Sequence, residues 1–232
     1  MKQEGERNVT IVGAGSVGSM LAFFLSKQVH NLTIYDEDIV EVHNQGTQLY
    51  SSTQVNEKKV FALRDLLMGF SNVNQSDYAQ MTVIDRHWSK SDVLLPVTFS
   101  GVDNIETRKE MFDVWCKLPD RQVFIDIRMA AEYGQVYVVT NDDNKIAAYL
   151  ESLEGDFPSP TCTLQMTIQC ASIMAGLAVQ AYNNFTSGIP VPFENYFNGP
   201  VLQLTNLKET TNDSKHVTTG IDAVCTDIEC SE

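Results

Sequence analysis

The chain has 232 residues, 43% hydrophobic and 20% charged, enough for one sizeable core and too few for several independent domains. That balance excludes a wholly disordered chain, a collagen and a coiled coil. With 16 Lys+Arg against 30 Asp+Glu, the net charge of −14 makes it a poor general binder of nucleic acid or of an anionic membrane.

The first residues, MKQEGERNV, are polar and hold no apolar signal core, so a cytoplasmic setting is expected. Asn8 to Val12 is a short apolar run ending at glycine and predicts a strand buried on both faces. Met20, Leu21, Phe24 and Leu25 recur at helical spacing, which predicts a helix over 16–28. Asn31 to Tyr35 predicts a second strand, completing a β-α-β unit with a parallel sheet and a right-handed crossover. Residues 39–56 are polar and turn-rich, a long loop with one helical turn. Val60, Leu63, Leu66 and Leu67 predict a helix over 58–70. Strands are expected at 82–84 and 97–100, and a helix at 106–116. Val123–Ile127 and Gln135–Val139 read as strands whose short link makes them antiparallel neighbours.

Residues 141–161 are acidic and carry prolines, which reads as loop. Leu164, Ile168, Ala171, Ala175, Leu177 and Ala178 predict a long helix over 163–184. Residues 189–200 carry three prolines and read as loop, and a last strand begins within 197–204. The longest apolar stretch, Ile173 to Val179, is too short to span a bilayer. The expected fold is α/β: a Rossmann-like, mostly parallel sheet with flanking helices, extended by antiparallel strands. Residues 1–207 form one domain, with a nucleotide-binding half at about 8–140 and a crossover loop and long helix at about 141–188. Residues 208–232 form an acidic tail expected to be flexible. Residues 141–232 hold 3 basic and 12 acidic side chains, so a basic partner would dock on that part. The five cysteines, Cys116, Cys162, Cys170, Cys225 and Cys230, form neither a disulfide framework nor a four-cysteine zinc site.

Gly13, Gly15 and Gly18 fit G-x-G-x-x-G between a strand and a helix. Glycines permit the tight turn and let phosphates approach the backbone, while the helix start supplies unpaired N–H groups and a positive dipole end. Asp36 lies 23 residues beyond Gly13, where a carboxylate accepts hydrogen bonds from ribose hydroxyls. A free carboxylate there disfavours a 2′-phosphate, so NADP is not expected, and NAD and ATP both remain. Cys162 precedes the long helix, whose dipole favours a thiolate.

After Asp36 the chain reads Asp36-Glu37-Asp38-Ile39-Val40, then Asn44-Gln45-Gly46-Thr47-Gln48, then Lys59, and further on Asp103-Asn104 with Arg108. This ordered series resembles the ThiF/MoeB/HesA family, the fold of the ubiquitin-activating-type enzymes, with D-x-D-x-V, N-x-x-R-Q, a following lysine and D-N-x-x-x-R. The match runs in order over roughly residues 8–110 and continues through Cys162. The resemblance implies an ATP-dependent adenylyltransferase that activates the C-terminal carboxylate of a small ubiquitin-like protein or peptide. By the same resemblance, Lys59 holds phosphates and Asp103 ligates Mg²⁺, a hard cation that prefers oxygen. Asn44 and Gln48 hydrogen-bond phosphate or ribose, Asn104 lies against the nucleotide, Asp38 belongs to the acid pair, and Asp36 keeps its ribose role. Cys162 is placed as the thioester nucleophile of some relatives, and a homodimer is implied. Taken singly, Lys59 reads as a solvated lysine, Asp103 as a helix cap, and Asn44 and Gln48 as loop residues.

Three features depart from the pattern. Thr47 stands where N-x-x-R-Q has arginine, Arg7 is the only arginine ahead of the first strand, and no C-x-x-C pair exists. Arg7, Arg64 or Arg128 is a candidate replacement, and Arg128 equally suits pairing with a carboxylate. Two other readings follow: a catalytically weakened relative acting as a binding subunit, and an NAD-dependent oxidoreductase, which shares the glycines and Asp36 but leaves Asn44, Gln48, Lys59 and Asp103 unexplained.

Overall fold

The computed structural model of the protein describes residues 7–70, 79–154 and 167–207. Among them, eight strands form one sheet: β1 (Asn8–Val12), β2 (Asn31–Asp36), β3 (Gln80–Asp85), β4 (Val97–Ser100), β5 (Val123–Ala130), β6 (Tyr133–Val139), β7 (Glu194–Asn198) and β8 (Gln203–Leu207). The spatial order is β3-β2-β1-β4-β5-β6-β7-β8. Pairs from β3 to β5 are parallel and pairs from β5 to β8 antiparallel. The expected Rossmann-like sheet with an antiparallel extension is the one observed.

The helices are α1 (Ser16–Leu25), α2 (Lys59–Gly69), α3 (Ile105–Cys116), α4 (Asp143–Glu151) and α5 (Ile168–Thr186). Alternation along the strands feeds a core on each face, because successive side chains point opposite ways. Ile125, Ile127, Val136 and Val138 pack with Leu21, Leu63, Met174 and Ala178 of α1, α2 and α5. Phe124 and Val139 pack on the other face with Phe112, Trp115 and Tyr149 of α3 and α4. β1 sits mid-sheet, which explains its continuous apolar run: Val9, Ile11 and Val12 are all buried.

Two expected loops are regular structure instead. Within 141–161, Asp142 accepts hydrogen bonds from the Asn144 and Lys145 amides (2.8 and 3.3 Å) and starts α4. The acidic run there is a helix cap and first turn, which the helix dipole favours. Within 189–200, β7 pairs with β6 over Glu194–Asn198. Only Phe197 of that strand is fully buried, so its apolar alternation is weak in the sequence. The long helix starts at Ile168, where the Thr167 hydroxyl accepts from the Cys170 amide (3.2 Å). Residues 39–56 hold two 3₁₀ turns, Val42–Gly46 and Ser52–Gln54, rather than one. The boundary drawn at 207/208 and the character of 208–232 lie outside the described residues.

Candidate nucleotide site

β1 delivers the chain to the glycine loop at the carboxyl end of the parallel strands, where ligands of open α/β sheets bind. Gly13 adopts φ +95°, and its amide donates to the Tyr35 carbonyl (2.9 Å). A Cβ on Gly13 would lie 2.8 Å from the Gly101 oxygen, and one on Gly18 would lie 1.8 Å from the Gly13 oxygen. These two glycines therefore let the ends of β1 and β4 and the start of α1 press together. Gly15 differs: a Cβ there would meet nothing within 4 Å. It caps α1 without any side-chain hydrogen bond to the first turn. The first N–H groups of α1 have no intrahelical acceptor, and beside Gly15 they form an anion-receptive helix start. The Ser16 hydroxyl is buried in this first turn and has no protein partner.

Asp36 ends β2 and braces the loop. One carboxylate oxygen accepts from the Ala14 amide (2.6 Å), the other from the Asp38 amide (2.9 Å). Burial pushes its pKa up, while the Ala14 N–H and Lys59 pull against that rise. Asp38 accepts from Lys59 Nζ at 2.7 Å. Lys59, the first residue of α2, is only 6% exposed and is not a solvated lysine. Tyr50 donates its hydroxyl proton to the Ala14 carbonyl (2.7 Å), and the Leu49 amide donates to Ser19 Oγ (3.2 Å). The 39–56 segment is thereby fastened over the glycine loop. Gln48 is buried there, and its side-chain oxygen has no protein partner.

Two expected ligands are partly committed to backbone. Asn44 Oδ1 accepts from the Glu41 amide (2.8 Å). Asn104 Oδ1 accepts from the Thr107 amide (3.0 Å) and caps α3, so the cap at this helix is Asn104 rather than Asp103. Asp103 is exposed, two residues past the Gly101 that abuts Gly13. Lys59 is tethered just past β2, and Asp103 lies just past β4. Only β1 separates those strands, and the usual strand spacing puts their ends about 10 Å apart on one edge of the sheet. Among the described residues no cluster of three or more His, Cys, Asp or Glu could hold a metal ion. Magnesium commonly uses one or two carboxylates with substrate phosphates, so the single Asp103 carboxylate is compatible with that mode.

Beside Asp103 lies a feature only partly visible in the sequence. Asp126, mid-strand in Val-Phe-Ile-Asp-Ile, is 0% exposed and pairs with both Arg108 and Arg128. Burial pushes the Asp126 carboxyl upward, but the two guanidiniums outweigh that and hold it below its ordinary pKa. An aspartate inside an apolar strand signals a buried partner, although which partner is not legible locally. Arg128 therefore pairs with a carboxylate instead of replacing the arginine missing at Thr47. Arg64 pairs with its neighbour Asp65 (2.8 Å). Ser16 and Tyr50 carried no distinguishing signal in the sequence. Cys162 lies outside the described residues. Cys170 is buried and its thiol is pushed up to about 11; burial also raises the half-buried Cys116. No described helix is long and apolar enough to cross a membrane.

The ThiF family model matches residues 2–220. Among solved structures, the chain is similar to PaaA, at 16% identity and TM-score 0.66, covering 87% of this chain and 63% of that one. It is also similar to E. coli MccB solved with ATP, at 13% identity and TM-score 0.64, covering 87% and 63%. MccB solved with selenomethionine MccA gives 15% identity and TM-score 0.65, covering 90% and 66%. At these identities the likeness shows the fold, and the chain spans less than two thirds of the length of these three structures. No curated protein sequence matches it significantly.

Proposed function

The chain belongs to the ThiF family, and on that premise we propose that it activates the C-terminal carboxylate of a peptide or small ubiquitin-like protein with ATP. A carboxylate oxygen attacks the α-phosphorus, the bond from that phosphorus to the oxygen bridging the α- and β-phosphates breaks, and acyl-adenylate and pyrophosphate result. One observation supports the reading: β1, which leads through Gly15 into an α1 start without a side-chain cap, lies between β2 and β4, the strands that lead to the tethered Lys59 and the exposed Asp103.

Each residue then has a physical task. Asp36 accepts two backbone N–H groups, and a carboxylate offers about four acceptor sites, so it retains capacity for ribose hydroxyls. Asp38 is 62% exposed and can rehydrate, so Lys59 can exchange it for a phosphate oxygen. The unpartnered Gln48 oxygen accepts a hydroxyl proton. The α1 start and Lys59 offset charge on the transferring phosphoryl group. Asp103 would hold a magnesium ion, which supplies further charge neutralisation on the phosphates. Transfer of the acyl group to Cys162 as a thioester, a homodimer and a cytoplasmic setting belong to the same proposal. The raised pKa values of Cys170 and Cys116 leave both poor nucleophiles, which favours Cys162 for that step.

Labelled pyrophosphate should exchange into ATP in the presence of a carboxyl-terminated substrate, and Asp103→Ala or Lys59→Met should lower the rate on the order of 100-fold. A second reading, a binding subunit without turnover, is favoured by Thr47 and by the capping roles of Asn44 and Asn104. Calorimetric ATP binding without exchange across a substrate panel selects that reading. Binding of NAD in place of ATP overturns both in favour of an oxidoreductase.

A further inference from the structure

The structure assigns Arg128 as a positioning residue that fixes Asp103 through a relay of buried hydrogen bonds, tying the carboxylate to the end of α4. This inference rests, for its catalytic consequence, on the adenylyltransferase reading above.

The relay is continuous in the contacts. At one end, Ser152 follows α4. Arg128 donates to its carbonyl (3.0 Å) and to its hydroxyl oxygen (3.1 Å). The same guanidinium donates through Nε to Asp126 Oδ2 (2.8 Å) and lies over the Tyr137 ring at 4.4 Å. The other Asp126 oxygen accepts from Arg108, which also donates to the Val102 carbonyl and to the Ile127 carbonyl (3.3 and 3.2 Å). Val102 is the residue before Asp103, and Asn104, the residue after it, is pinned as the α3 cap. The backbone of Asp103 is thus held on both sides while its side chain stays exposed.

The chemistry suits precise placement. Asp126 is fully buried and both arginines nearly so, which shields the relay from competing water. Guanidinium forks serve two acceptors in one plane, so a shift of Ser152 carries to Asp126 and from there to Arg108 and Val102. A lysine at position 128 keeps the charge beside Asp126 but cannot reproduce that fork.

The test compares the full-length protein with Arg128→Lys. Amide hydrogen exchange over 102–107 should quicken at least tenfold, with β1 and α5 unchanged. The magnesium concentration for half-maximal pyrophosphate exchange should rise at least fivefold, while calorimetric binding of ATP without metal is unaltered. A merely structural arginine would move neither selectively. Faster exchange confined to residues 149–154, with 102–107 unchanged, overturns the inference. Should Arg128→Lys fail to fold, Ser152→Ala removes the bond from Arg128 to the hydroxyl, together with the hydroxyl's own bond to the Tyr149 carbonyl (2.7 Å), and keeps the ion pair. It should quicken exchange over 102–107 at least twofold, and no change there likewise overturns the inference. If the unaltered protein exchanges no pyrophosphate, the adenylyltransferase reading fails by itself, and the hydrogen-exchange comparison still decides the relay.

Discussion

At the ends of β2 and β4, Asp38 is 62% exposed and Asp103 is a surface residue, whereas one strand beyond β4 the Asp126 side chain is 0% exposed between two guanidiniums. The ends of β2 and β4 leave their carboxylates where water, or a ligand, can replace a protein partner. The sheet beyond β4 seals its charge in. In the pair of Asp38 with the buried Lys59, the carboxylate hydrates readily, so it is exchangeable for another anion at little cost in stability. A sealed carboxylate cannot lose a partner without leaving an uncompensated charge in the interior. On the proposed reading, similar ion pairs serve chemistry on one side and geometry on the other.

The comparison is broken or sharpened most strongly at the sealed charge. Asp126→Asn leaves Arg108 and Arg128 without their shared anion and should cost about 3–5 kcal/mol in denaturant unfolding. Lys59→Met should cost no more than about 1 kcal/mol, because Asp38 simply hydrates. Equal losses in the two variants would erase the distinction.

The glycines give the next effect. Gly18→Ala drives a methyl into the Gly13 carbonyl and should cost about 1–3 kcal/mol, read as a lower midpoint in urea. Gly15→Ala meets no protein atom, so its cost should stay below about 1 kcal/mol while ATP affinity measured by calorimetry falls about tenfold. A Gly15→Ala protein with native ATP affinity would remove Gly15 from the site.

The pH response is the smallest effect, and the two regions give it opposite signs. Asp126 is held below its ordinary pKa, so its stabilisation is complete above about pH 4 and drains away as pH falls through the window beneath. Asp36 is held above its ordinary pKa by burial, so the folded chain keeps that proton longer than the unfolded one. Its contribution falls as pH rises from about 4 through its raised value. Asp36→Asn should therefore flatten the stability profile just above pH 4 without changing the acid limb. A changed acid limb would show that Asp36 is not titrating as described.

Where the chain bends back on itself locally, the sequence was legible. The glycine spacing, the β-α-β unit, Asp36 at the end of β2 and the β5–β6 pairing follow from patterns spanning a few residues. α4 was misread because acidic residues mark both loops and helix starts, and only the bonds to Asp142 tell them apart. β7 was misread because the prolines flanking it (Pro190, Pro192 and Pro200) and its half-buried side chains conceal the period of two. Asn44, Gln48, Lys59 and Asp103 stood out as an ordered series, yet their surroundings did not: that Lys59 is buried on Asp38, or that Asn104 caps α3, is absent from any local pattern.

By itself, the sequence determined most of the elements, the first β-α-β unit and the residue types that follow its strands, because helical and strand periods and turn chemistry act over one or two turns of chain. Only the tertiary structure decided which charges meet. Arg108 and Arg128 share Asp126 because the parallel register of β4 and β5 sets Ser100 beside Asp126, bringing the loop after β4 and α3 against β5. Electrostatic energy depends on that separation and on exclusion of water, and neither is a property of neighbours along the chain.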